Sequence, residues 1–279
     1  MKKLGFIGAG NMAEALARGL LAKKLFSPSE LIASDVEPAR RRKLARLLKV
    51  ETTADNLAVV NQARAIVLAV KPQTIDAVLD EIACALSENG KARRVRGGTL
   101  FISIAAGVPI SRLEGHLGGN ARVIRVMPNA PAMVGQGMAA LVGGSHAARA
   151  DETFALKIFR AIGEAVVLRD ESLLDAVTAL SGSGPAYVYL FVASMAEAAV
   201  KEGLPAGLAL QMALQTVRGA EQTMRQSRLE PSELIRIVAS PGGTTEAALR
   251  KFAEAGFSEI ISAAIHAAAD RSRELGRSR

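Results

Sequence analysis

Near the start of the chain, Gly8-Ala9-Gly10-Asn11-Met12-Ala13 fits the spacing G-x-G-x-x-G/A. This spacing suits a dinucleotide pyrophosphate. Gly8 permits a tight turn, Gly10 lets backbone approach the phosphates, and Ala13 is small enough for helix–sheet packing. A helix opening at Asn11 offers free N–H groups and partial positive charge to an anion. A strand over residues 3–7, ending at Ile7, leads into the turn, as the motif requires. A second strand ends at Ser34-Asp35, 22 residues past Ala13. An acid here takes the ribose 2′-hydroxyl of NAD, and a nearby arginine takes the 2′-phosphate of NADP. Asp35 is followed closely by Arg40, Arg41 and Arg42, so both NADPH and NADH stay open. Val70-Lys71-Pro72 closes another strand and belongs at the carboxyl edge of a sheet, where ligands bind. Ser103-Ile104-Ala105-Ala106-Gly107 follows the next strand, and its small residues leave room for a cofactor.

Two further glycine-rich segments precede helices. One is Ser181-Gly182-Ser183-Gly184-Pro185-Ala186, the other Ser240-Pro241-Gly242-Gly243-Thr244-Thr245. Backbone N–H donors and hydroxyls at a helix N-terminus form a natural carboxylate cradle. Ordinary capping by Ser or Thr is the alternative for each. Two such loops beside a nucleotide site favour an anion site. The histidines, His116, His146 and His266, lie outside every motif and read as structural. No metal-ligand pattern and no Ser-His-Asp arrangement is present. The chemistry is therefore expected to be the cofactor's own, with hydroxyls and backbone assisting.

Elements must position these groups. In the first half, strands at residues 3–7, 31–34, 65–70, 100–104 and 123–126 alternate with helices at 11–23, 37–48 and 75–86. That alternation predicts a doubly wound parallel sheet of the Rossmann type. Beyond residue 167 the pattern turns helical, with helices expected at 173–180, 185–202, 208–226, 231–238, 246–255 and 258–275. The expected fold is α/β: a dinucleotide-binding domain over 1–167, then an all-α substrate and dimerisation domain over 168–279. Val188, Leu190, Phe191 and Val192 nearly encircle one helix, more apolar surface than about 110 residues can cover. A dimer through the helical region supplies that cover.

Composition narrows the function classes. The 279 residues are 49% hydrophobic and 22% charged, an ordinary globular balance. No uninterrupted apolar run approaches the ~18 residues of a membrane span, and Glu14 and Arg18 break any signal-type segment. The net charge of +8 comes in short groups, including Arg93, Arg94 and Arg96 and the tail Arg271, Arg273, Arg277 and Arg279. With 4% aromatics and no Trp there is no stacking platform for bases, so no nucleic acid is expected. One cysteine, Cys84, rules out a disulfide framework and points to the cytoplasm.

Taken in order, 6-FIGAGNM-12, Ala69-Val70-Lys71-Pro72, 103-SIAAGV-108, 122-RVIRVMPN-129, 181-SGSGPAY-187 and 240-SPGGTT-245 resemble pyrroline-5-carboxylate reductases over nearly the whole chain. The resemblance implies reduction of the cyclic imine 1-pyrroline-5-carboxylate to L-proline with NADPH or NADH. It also implies a Rossmann domain, a helical domain that dimerises by interleaving, and assembly into a decamer. By the same likeness Asn56 and Lys71 contact the cofactor, and Ser34-Asp35 departs from the small hydroxyl pattern of NADPH-preferring relatives. Residues 240–245 would hold the substrate carboxylate, Thr245 would serve the imine nitrogen, and Ser181, Gly184 and Pro185 would border the substrate. The β-hydroxyacid dehydrogenases resemble G-x-G-x-x-x-K-x-x-x-N at the start of their helical domain. Here those Lys and Asn positions are Val188 and Val192, which argues against them. An idle dinucleotide sensor is the other rival, and it has no need of a substrate cradle.

Overall fold

A computed structural model describes residues 2–87, 98–118 and 120–277. Arg93, Arg94, Arg96 and Arg279 of the basic groups lie outside the described residues. Eight strands form one sheet in the order β3-β2-β1-β4-β5-β6-β7-β8. They are β1 (Lys2–Ile7), β2 (Leu31–Ser34), β3 (Glu51–Thr53), β4 (Ala63–Leu68), β5 (Leu100–Ser103), β6 (Arg122–Met127), β7 (Gly137–Gly143) and β8 (Gly163–Val167). Neighbours among β1–β6 pair parallel. The expectation of a wholly parallel sheet needs one correction, because β7 runs antiparallel to β6. The link between them is a short 3₁₀ turn, Ala130–Val134, with no helix to carry a crossover.

Alternate residues of each central strand bury opposite faces, which is why these strands read as continuous apolar runs. Leu4, Phe6, Val67, Ile102 and Ile124 pack on one face with Leu16 and Leu20 of α1 (Asn11–Ala22) and Leu44 of α2 (Pro38–Leu48). Ile7, Ile66, Leu68, Phe101 and Val123 pack on the other with α3 (Asn56–Gln62), α4 (Ile75–Ser87) and α5 (Ile110–Leu117). Each fully buried Leu or Phe contributes roughly 1.5–3 kcal/mol relative to an exposed one. Helix α6 (Arg149–Phe159) covers the β7–β8 end through Ala155 and Ile158.

After β8 come α7 (Leu173–Val177), a π turn at Thr178–Gly182, α8 (Gly184–Lys201), α9 (Ala206–Ser227), α10 (Pro231–Val238), α11 (Thr244–Glu254) and α12 (Phe257–Arg277). The chain divides into two compact units, Met1–Gly182 with Ala268–Arg279, and Ser183–Ala267. This division differs from the one drawn at 167/168 in the sequence. In the second unit Val192 and Ala196 of α8 pack against Ala209 and Ala213 of α9. Four apolar neighbours, Val188, Tyr189, Leu190 and Phe191, stay 46%, 63%, 69% and 40% exposed. Taken together, α7, the π turn and α8, with a bend at Ser183, make Leu173–Lys201 long and apolar enough, by length and composition alone, to cross a membrane.

Candidate active site

The first glycine turn forms as the sequence predicts. Gly8 has φ +97°, the left-handed region, and a Cβ there would lie 2.6 Å from the Ala69 carbonyl oxygen. Gly10 is the N-cap of α1, with ordinary φ −74°, and a Cβ there would meet nothing within 4 Å. The Glu14 N–H is the first to bond back, to the Gly10 carbonyl at 3.0 Å. The N–H groups of Asn11, Met12 and Ala13 are thus the unsatisfied donors of the helix end. Asn11 and Met12 line a cleft of about 760 Å³ at the carboxyl edge of β1, β2 and β4.

Of the residues chosen from sequence, Gly8, Ala9, Gly10, Asn11, Met12, Asp35, Asn56, Ala69, Val70 and Lys71 line this cleft. Ile7, Ala13 and Ser34 are buried beneath it. The Ser34 hydroxyl donates to Asn56 Oδ1 at 2.7 Å, and Asn56 Nδ2 donates to Glu81 at 2.7 Å, which fixes the Asn56 side chain. Pro72 opens a 3₁₀ turn just behind Lys71. Ala105, Ala106 and Gly107 do not line the cleft; a Cβ at Gly107 would lie 3.3 Å from Leu275 of α12.

Asp35 is 7% exposed. One carboxylate oxygen accepts the Ala9 N–H and the other the Glu37 N–H, each at 2.8 Å. It therefore ties the glycine turn to the end of β2 while lining the cleft. The three arginines separate in role. Arg41 donates to the Asp35 and Val36 carbonyls and holds the loop. Arg42 does not line the cleft, whereas Arg40 does, 3.7 Å from Asp35 and 3.4 Å from Glu37.

Sequence reasoning did not mark Glu14 or Lys43 as parts of this site. Glu14 is 5% exposed and pairs with Lys43 and Arg18, both at 2.6 Å. The Lys43 hydrogen bond holds the Glu14 carboxyl below the ordinary range, against the opposing effect of burial, with Arg18 adding to the lowering. Its signal in sequence is the i, i+4 pair Glu14–Arg18 in the first turns of α1. The pair leaves Lys43 in the cleft wall with fixed orientation.

The two other glycine segments also meet helix N-termini. At α11 the N-cap is Gly243, with no side-chain cap, so neither Thr244 nor Thr245 caps the helix. The Gly242 N–H donates to the Glu246 carboxylate at 2.6 Å and the Gly243 N–H to the Ser240 carbonyl at 3.0 Å. The Ala247 N–H bonds back to Gly243, so the open donors are those of Thr244, Thr245 and Glu246, slightly further on than the sequence suggests. At α8, Ser183 is the N-cap without a side-chain cap bond, and Gly184 and Pro185 are the first helical residues. Ser181 is the last residue but one of the π turn, and its carbonyl accepts from Asn129. Among the described residues no group of three His, Cys, Asp or Glu is placed to hold a metal. His116 is engaged with Asp80 at 2.7 Å between α4 and α5.

A doubly wound sheet whose first helix opens its unsatisfied N–H donors at a cleft on the carboxyl edge, with Gly10 leaving open space there, is the arrangement of a nicotinamide-dinucleotide-dependent oxidoreductase. Residues 3–107 match the family described as NADP oxidoreductase, coenzyme F420-dependent, and residues 171–275 match pyrroline-5-carboxylate reductase dimerisation. The chain is 40% identical over 276 residues to a pyrroline-5-carboxylate reductase of Methanosarcina acetivorans, covering 99% of this chain and 98% of that protein. It is 41% identical over 273 residues to that of Pseudomonas aeruginosa, covering 98% and 96%. The solved pyrroline-5-carboxylate reductase of Coxiella burnetii superposes with a TM-score of 0.90 at 33% identity, over 99% of both chains. A Plasmodium falciparum pyrroline carboxylate reductase with NADP bound superposes with a TM-score of 0.85 at 30% identity, over 99% and 98%. The chain belongs to the pyrroline-5-carboxylate reductase family.

Proposed function

We infer that this protein reduces 1-pyrroline-5-carboxylate to L-proline with NADPH or NADH, the last step of proline synthesis. The observation that carries the reading is the open cradle at the start of α1, which leaves space at Gly10 in a chain of this family. When bound, the cofactor supplies the hydride that adds to the C=N carbon. The Asn11, Met12 and Ala13 N–H groups hold its pyrophosphate, and the side chains of Asp35 and Arg40 face its ribose. Residues 105–107 border the nicotinamide. The substrate carboxylate is held by residues 240–245, with the N–H groups of Thr244 and Thr245 as donors and Ser240, Gly242 and Gly243 shaping the turn. Ser181, Gly184 and Pro185 border the same substrate. The Thr245 hydroxyl orients the ring nitrogen or relays its proton. A protonated imine is already an electrophile, so no strong protein acid is needed.

Steady-state assay with 1-pyrroline-5-carboxylate and each cofactor tests the reading, and failure of the folded protein to consume either cofactor overturns it. Cofactor choice has its own expected result. Arg40→Ala should lower the NADPH/NADH ratio of kcat/KM by about 10-fold, the worth of about 1.4 kcal/mol of charge-assisted contact to a 2′-phosphate. Asp35→Ser should raise the same ratio by removing a negative charge. Unchanged ratios in both would place the 2′-position away from this loop.

The dimerisation match and the exposed face of α8 support a homo-oligomer. We take the unit to be a cytoplasmic homodimer joined through residues after about 170, with further assembly toward a decamer and with neither membrane nor nucleic acid as partner. An apolar face of that extent needs a covering surface. Sedimentation at micromolar concentration should show no monomer, and a stable active monomer would refute the dimer.

A further inference from the structure

We propose that Asn129 is a positioning residue for this reaction, holding the 178–182 π turn against the end of β6 so that Ser181 is presented to the substrate in one orientation. The proposal rests on the substrate role given above to Ser181, Gly184 and Pro185.

The need for such a residue follows from the sequence of the turn. A helical carbonyl is normally met by the N–H four residues later. Four residues after Ser181 stands Pro185, which has no N–H. The N–H five residues on, the partner a π turn would use, is that of Ala186, and it bonds to the Ser183 carbonyl instead, so the half-buried Ser181 carbonyl takes a donor from elsewhere. Asn129 Nδ2 supplies it at 3.0 Å and lies 3.4 Å from the Ser181 hydroxyl. The other end of the same amide is fixed, because Asn129 Oδ1 accepts the Met138 N–H at 2.8 Å. One half-buried side chain thus joins the exit of β6, the beginning of β7 and the π turn.

A second contact sets the same geometry. A Cβ on Gly182 would lie 2.6 Å from the Met127 methyl, so the turn sits directly on the last residue of β6. The π turn is itself a departure from regular helix of the kind found at functional sites. Two residues after Ser181 the chain passes into the second compact unit. Asn129 therefore anchors the turn in which Ser181 sits, within the first unit. It acts through the turn rather than by touching cofactor or substrate.

Asn129→Asp separates the two bonds. The aspartate keeps an oxygen for the Met138 N–H but sets a second oxygen against the Ser181 carbonyl. The experiment is steady-state kinetics and melting of the full-length variant, beside Asn129→Ala, which removes both bonds without adding charge. Val142→Ala, a buried β7 position outside the site, serves as a stability control. The expected result is a rise of about 10-fold in KM for 1-pyrroline-5-carboxylate in either variant, with KM for the cofactor within two-fold of wild type. A KM for the imine within two-fold of wild type in both variants overturns the proposal. So does an equal rise in both KM values, or the same rise in Val142→Ala at a matched loss of melting temperature. Wild-type protein that turns over no imine overturns the proposed function and this inference together; an active wild type with indifferent variants overturns the inference alone.

Discussion

Valine in place of Gly10 should abolish cofactor binding in a protein that still folds. Gly10 has φ −74°, a conformation open to any residue, and its Cβ would touch nothing of the protein within 4 Å. The added isopropyl group would occupy open space at the cleft that Gly10 lines. Phosphate oxygens must come within about 3 Å of the N–H groups at the start of α1 to be bound. A loss of at least ~100-fold in affinity for NADPH and NADH is expected, equivalent to about 2.7 kcal/mol. The melting temperature should stay within about 2 °C of wild type. Gly8→Val is the instructive contrast. There φ is +97° and a Cβ stands 2.6 Å from the Ala69 carbonyl, so the fold itself suffers. Calorimetric titration with NADPH beside a melting curve separates the two. A folded Gly10→Val that keeps wild-type affinity within three-fold would mean that the pyrophosphate does not cross this turn.

The contrast marks what a one-dimensional reading can and cannot deliver. Both glycines announce the motif, but only backbone angles show which one serves the chain and which the ligand. The strands of the sheet centre are legible because burial on both faces leaves unbroken runs such as Ile66, Val67 and Leu68. The edge strands are not: β3 is three residues, one exposed and two half-buried, and β8 is five residues of mixed burial that include an exposed glutamate, so neither shows a long apolar run. The antiparallel reversal after β6 depends on a 3₁₀ turn that carries no periodic pattern. In the site, Asp35 and the glycine loops are visible as residue types at known separations. The separation of Arg40 from Arg41 is not, because both are alike in sequence and differ only in which carbonyls the backbone brings near. Glu14 shows the same limit: its partner Lys43 is 29 residues away, and only the packing of α1 on α2 joins them.

Thr245→Ala should lower kcat/KM for the imine by ~10²-fold with little change in stability. At the sequence level two accounts of this threonine compete, one as helix cap and one as a group acting at the imine. A cap lost to alanine costs typically ~1 kcal/mol of stability and leaves turnover nearly intact. The structure removes that account, because Gly243 is the N-cap and no side chain caps the helix. Thr245 is the second helical residue and half-buried, in a turn already closed by the Gly243–Ser240 and Gly242–Glu246 hydrogen bonds. Alanine has the higher helix propensity, so the substitution should hold or slightly raise the melting temperature. What it removes is a hydroxyl beside open backbone donors. If that hydroxyl orients the imine nitrogen or relays its proton, general acid–base assistance of this kind is worth 10²–10⁴-fold. Thr245→Ser restores a hydroxyl without the methyl and should recover most of the loss. A reduction confined to kcat, with KM for the cofactor unchanged, is the signature of a group that acts only as the bond reacts. Alanine and serine variants that both keep wild-type kcat/KM would remove Thr245 from the chemistry and leave the reduction to cofactor and substrate orientation alone.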